Sequence, residues 1–347
     1  MKRMSRLRFL LAAAVTLCGT AVSTFAAETL HIYNWADYVS PDLVTRFEKE
    51  NDCKVVIDTF DSNETMFAKI KAGGAGYDLI FPTSYMVKAM EQEGMLASID
   101  KSQVPNLKNV DPEALTKVYD TKMAHSVPYT MGYAVIAYRK DKLKDVEPSW
   151  AVFARTDLKK RATLFDDMRE TIGAALKQLG YSLNTRDEKQ LAEARDLVIK
   201  WKKNIAKFDN EGYKAGLDSG EFILVQGYSG DLFQVAQENE KVAIAIPKEG
   251  VSIGCDQMVI PKNAPQPQLA HKFINFLLDA EVSAENMEWM GYLCPNKEGL
   301  KKVSEDFLKN PAVSIPDAIK AKSEVIEELG ADLAKYTKVW DEIKAAK

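Results

Sequence analysis

The 347-residue chain is 46% hydrophobic and 28% charged, with a net charge of −4, the balance of a folded globular protein and not of a disordered one. An acidic chain lacks the basic face that a nucleic-acid partner requires. Its three histidines and four cysteines show no paired metal-ligand spacing, and no cofactor motif is present, so neither a metal nor a cofactor is expected.

The chain opens with a basic stretch (Lys2, Arg3, Arg6, Arg8), an apolar run over 9–17 and the small-residue site Thr24-Phe25-Ala26. This is the pattern of a secretory signal over 1–26, with the exported protein starting at Ala27. Cys18 lacks the small residue that precedes a lipidated cysteine. Removing the signal leaves 42 basic against 50 acidic residues, a net charge near −8 that favours cationic ligands at long range. Roughly 320 remaining residues suggest two domains. Three cysteines remain, Cys53, Cys255 and Cys294; Cys255 and Cys294 either pair in an oxidising compartment or stay as isolated buried thiols.

In chain order, 29–34 reads as a strand, and Ser40-Pro41 opens a helix whose apolar face is Leu43, Val44 and Phe47. A β-branched strand over 55–60, a helix over 65–72 stopped by Gly73, a strand over 77–81 and a helix over 85–92 ending at Gly94 follow. Strand alternating with helix argues for an α/β fold, a mainly parallel sheet flanked by helices. The loops beyond the strand ends, at Trp35, at 61–63 and at 82–85, would then face one crevice. The alternation resumes with strands at 134–138, 162–165, 223–225 and 242–245, a second lobe of the same class. The segment 257–261 and a helix over 270–278 return to the first lobe. The division is 27–131 with 257–305 for one lobe and 132–256 with 306–347 for the other.

Several motifs carry a resemblance over the whole exported length. They are Tyr33-Asn34-Trp35 with Tyr38, Ser62-Asn63-Glu64-Thr65-Met66, Tyr77-Asp78-Leu79-Ile80 running into Pro82, Gly227-Tyr228-Ser229-Gly230-Asp231, Ile246-Pro247-Lys248-Glu249-Gly250 and residues 273–278. In these the chain resembles the periplasmic spermidine/putrescine-binding proteins. The resemblance implies a two-lobed periplasmic-binding fold of type II that closes on a polyamine, acts as a monomer and delivers its ligand to the membrane permease of an ABC importer.

An alkyl diamine offers two ammonium groups joined by an apolar chain, so its site needs carboxylates at the ends and aromatic faces between. An ammonium over an aromatic face gains about 0.5 to 2 kcal/mol. A charged hydrogen bond adds about 1.5 to 3 kcal/mol, offset by desolvation of both ions. By matching, the resemblance assigns Trp35, Tyr38, Thr83, Tyr85, Asp167, Glu170, Tyr228, Asp231, Asp256 and Tyr292 to the ligand, with Asp231 and Asp256 sharing one ammonium. Ordinary structural roles compete. Thr83, Asp167 and Asp231 each precede a helical run and read as caps, with Glu170 completing a capping box. Trp35 and Tyr292 read equally as core. Asp256 interrupts an apolar approach to Met258-Val259-Ile260, where a charge needs a partner. Gly254 and Tyr228 stand where the family has a large aromatic and a tryptophan, which implies a wider site.

Two other readings stay open. An exported hydrolase would use Gly227-Tyr228-Ser229-Gly230-Asp231 as a nucleophile elbow, but Asp231 replaces the final glycine and no histidine lies in a partner motif. The glycines at 73, 74 and 76 lack the following Lys-Ser/Thr of a phosphate loop. A ligand sensor for a membrane signalling protein would use the same fold.

Overall fold

The computed structural model describes residues 27–74 and 76–346; the expected signal segment lies outside them. Ten strands form one continuous sheet: β1 (Glu28–Asn34), β2 (Cys53–Thr59), β3 (Leu79–Ile80), β4 (Ser126–Arg139), β5 (Ala162–Leu164), β6 (Lys207–Phe208), β7 (Leu224–Tyr228), β8 (Val242–Ala245), β9 (Ser252–Val259) and β10 (Glu324–Val325). The path is β2-β1-β3-β9-β4-β7-β5-β6, with β10 on β9 and β8 on β4.

Parallel pairing holds on both flanks. Glu28–Asn34 lies in register with Cys53–Thr59, and β1 also pairs in parallel with β3, as β5 does with β6 and β7. Helices make those connections. Pro41–Asn51 carries proline in its first turn and buries Leu43 and Phe47 in the core that also holds Leu30 and Ile32 of β1. Asn63–Lys71 starts where the Ser62 hydroxyl accepts the Thr65 N–H.

The centre is antiparallel. The first half of β4 pairs with β9, from Ser126↔Val259 to Tyr133↔Ile253, and its second half with β7 and β8. One 14-residue strand therefore belongs to both flanks. A register shift between Pro128 and Thr130 accommodates the proline, which has no N–H to give to the ladder.

Two large cores form on either side of these shared strands. One gathers Leu30, Ile32, Leu43, Phe47, Phe81, Phe273, Ile274 and Met287, with the Phe47 and Phe273 rings edge-on at 4.8 Å. Phe307, Ala312 and Val313 pack into the same core. The other gathers Val135, Ile136, Trp150, Phe165, Ile172, Trp201, Leu224 and Tyr336. The C-terminal helix Leu333–Ala345 closes it, and Tyr336 donates its hydroxyl to Leu183 O at 2.9 Å. At about 1.5 to 3 kcal/mol for each large side chain taken from water, each core stabilises its own side. Cys53, Cys255 and Cys294 are buried free thiols.

Candidate ligand-binding cleft

All ten side chains singled out in the sequence border one cavity of about 320 Å³. Trp35, in the turn after β1, donates its indole N–H to Phe81 O at 2.8 Å and leans on the Phe60 ring at 4.3 Å. Tyr38, three residues on, donates to Asp256 Oδ2 at 2.5 Å and also lies 3.0 Å from Thr130 Oγ1.

Thr83 caps the helix Ser84–Gln92 through its backbone alone. Its hydroxyl instead donates to Asp256 Oδ1 at 2.6 Å and accepts from the Asn63 amide, whose oxygen holds the Thr83 N–H. Both oxygens of Asp256 are thus met by neutral hydroxyls from two different loops. Burial pushes its carboxyl up to about 6, opposed by the Thr83 and Tyr38 hydrogen bonds.

Asp167 does cap the helix Met168–Gln178, accepting from Arg169 N at 2.7 Å and Glu170 N at 3.0 Å. The reciprocal half of the capping box is missing, because the Glu170 carboxylate accepts from the Ser252 hydroxyl on β9. Burial, and then the Asp167 charge beside it, pushes Glu170 up to about 8. Tyr85 donates to Glu64 at 3.3 Å.

Asp231 is not a cap. It sits inside the first turn of Ser229–Glu238, accepting from Tyr213 at 2.5 Å and Tyr292 at 3.5 Å. Lys214 Nζ is 3.8 Å from Asp231 Oδ1 and 2.9 Å from Asp37 Oδ2. The two acids expected to share one ammonium therefore differ: Asp231 has a cation beside it and Asp256 has only hydroxyls. Lys214 and Asp37 were missed by sequence reasoning. Asp37 adjoins a quoted motif, whereas nothing local marks Lys214.

Tyr228 stacks on Phe165 with centroids 4.3 Å apart. Tyr292, 4% exposed, belongs to the first core and to the cavity wall at once. Its ring sits close against Gly132 and Gly230, where an added Cβ would come within 2.7 and 2.1 Å of it. Gly254 faces open space, with no atom within 4 Å of an added Cβ. Arg169, the other basic residue of the wall, turns its guanidinium to Glu327 O and Asn184 Oδ1, over the Tyr336 ring.

Ser229, the would-be nucleophile, accepts the Tyr133 N–H at 3.3 Å. Among the described residues no group of three or more His, Cys, Asp or Glu is placed to hold a metal ion, and no helix is long and apolar enough to cross a membrane. Acids held by hydroxyls, alternating with aromatic faces between two cores joined by shared strands, define a receptor for a small solute.

The family model described as bacterial extracellular solute-binding protein matches residues 42–314, and the chain belongs to that family. It is 36% identical to the spermidine/putrescine-binding periplasmic protein of Salmonella typhimurium, over 100% of both chains. It is 35% identical to the putrescine/cadaverine-binding protein of Pseudomonas aeruginosa, over 96% of this chain and 98% of that one. Among solved structures, the spermidine/putrescine ABC transporter substrate-binding protein PotD of Streptococcus pneumoniae superposes with a TM-score of 0.79 at 33% identity, over 92% of this chain and 99% of that one. The fold is the two-lobed α/β arrangement of type II periplasmic binding proteins.

Proposed function

We propose that this chain is the exported receptor of an ABC importer, capturing a polyamine of the putrescine and spermidine class and handing it to the membrane permease as a monomer. The observation that carries the reading is Asp256, a carboxylate in the cavity wall that has two hydroxyl donors and no cation. A carboxylate withdrawn from water is stabilised most by a charged partner, and an alkylammonium supplies one while its methylenes pack on Trp35, Tyr85 and Tyr228.

The lobes are divided as the sequence suggests at 131/132 and 256/257, with the second return placed near 314 because Phe307, Ala312 and Val313 pack with the first core. Trp35, Tyr38, Thr83 and Tyr85 hold the ligand from one lobe, and Asp167, Glu170 and Tyr228 from the other, where Asp231 pairs with Lys214. Asp256 and Tyr292 lie where the two meet. Ligand contacts made in both lobes favour the closed state over the open one.

The test is calorimetric titration of refolded, ligand-free protein with putrescine, cadaverine, spermidine and spermine, with arginine and choline as cationic controls. Micromolar or tighter binding of at least one polyamine, and none of the controls, is expected. Binding of arginine or choline in place of every polyamine would assign the cleft to another cation.

A further inference from the structure

One end of the cleft already contains an ammonium group. Lys214 rises from the helix Gly212–Ser219 and bridges Asp37 Oδ2 at 2.9 Å and Asp231 Oδ1 at 3.8 Å, its side chain only 23% exposed. Asp37 holds a left-handed backbone, φ 54°, a conformation that aspartate tolerates better than most residues. Asp231 has otherwise only the phenols of Tyr213 and Tyr292.

Beside the exposed Asp61 and Glu211, the cleft thus offers three acidic stations: Asp256, the Asp167 and Glu170 group, and the Asp37 and Asp231 pair. The first has no cation within ion-pair reach among the described residues. At the second, Arg169 spends its guanidinium on Glu327 O and Asn184. Only the third is supplied by the protein itself. A ligand ammonium reaching that station would meet a like charge or have to displace it, and like-charge juxtaposition is how a site rejects a partner.

Resting on the polyamine reading, we propose that Lys214 is a specificity-determining residue. Its ammonium takes the place of a third ligand ammonium, so the site prefers diamines over triamines. The residue is recruited by neither the family motifs nor any local pattern. Its role follows from the two carboxylates that it joins across the cleft.

The experiment is calorimetric titration of wild type, Lys214→Met and Lys214→Arg with putrescine, cadaverine and spermidine. Wild type should bind a diamine about tenfold tighter than spermidine. Lys214→Met, which keeps the stem and removes the charge, should bind spermidine about tenfold tighter than wild type does, with diamine affinity within about threefold. Lys214→Arg should keep the wild-type ranking. An unchanged spermidine-to-diamine ratio in Lys214→Met, or an equal loss for all amines, would overturn the role of Lys214 and leave the polyamine reading standing. Failure of wild type to bind any polyamine would overturn that reading, and this one with it.

Discussion

Gly254 sits between Ser252 and Asp256 on the cavity-facing side of β9, so its missing side chain is a missing piece of wall. A Cβ added there meets nothing within 4 Å, and its φ is in the ordinary range, so a side chain enters without backbone strain. A ring at this position would present its face to an ammonium bound by Asp256. Gly254→Trp is therefore expected to tighten polyamine binding by about 0.5 to 2 kcal/mol, up to roughly thirtyfold, read by calorimetry. Weaker binding would show that the ligand itself fills this space. The position was legible in the sequence because the family resemblance reached it, as it reached ten of the side chains that border the cavity. Lys214 was not legible. Its partner Asp37 lies 177 residues away, and no periodicity or motif encodes an ion pair between residues so far apart in the chain. At Asp231 the resemblance favoured a ligand carboxylate, with a helix cap as the competing role. The cap does not form, because the helix begins at Ser229 and two phenols claim the carboxylate.

At the scale of elements, strands with compact β-branched runs were plain. β8 occupies the residues expected of it, and β1 and β2 differ by one or two positions. β4 was half visible: 134–138 read as a strand, whereas 126–133 did not, because Pro128 and Gly132 break the pattern. Those breaks have structural causes. Pro128 sits at the register shift, and Gly132 lets Tyr292 lie against the strand where it passes between lobes. The helix Ser229–Glu238 has the same need at Gly230, whose added Cβ would stand 2.1 Å from the Tyr292 ring. Overpacking of this kind costs about 1 to 3 kcal/mol, against about 1 kcal/mol gained by replacing glycine in a helix. The helix puts Leu232 in one core and Phe233 beside Tyr292 in the other, so the clash falls where the two cores meet over the cleft. Gly230→Ala should weaken ligand binding by about tenfold while the unfolding temperature of the ligand-free protein changes little. Unaltered affinity would mean that the ring has room to move aside.

The whole molecule carries a conflict between being stable and being ready to bind. Burial holds Glu170 at about 8 and Asp256 at about 6, above the values of about 4.3 and 3.9 that such groups have in an unfolded chain. Folding therefore strengthens their hold on protons. The stability that this contributes is fully present below about pH 4 and is lost as pH rises through 6 and then 8. The carboxyls with depressed values, such as Asp120 and Asp209, act in the opposite sense. They lose their contribution as pH falls through values below the ordinary carboxylate range, so the window from pH 5 to 8.5 reports on the cleft acids that burial raises, Asp167 and Asp231 together with Glu170 and Asp256. A cationic ligand reverses the sign, because it favours the ionised carboxylates and expels any protons they carry. Between pH 8.5 and 5 the ligand-free protein should unfold at progressively higher temperature while amine affinity falls, by at most about tenfold per pH unit for each proton displaced. Thermal unfolding without ligand and calorimetry at pH 5, 6.5 and 8 measure the two trends. If both stay flat, Glu170 and Asp256 are ionised throughout, and the protein supplies them with positive potential that replaces the ligand's; if they move in opposite directions, the unpaired acids of the cleft lower the stability of the empty protein and favour capture of its ligand.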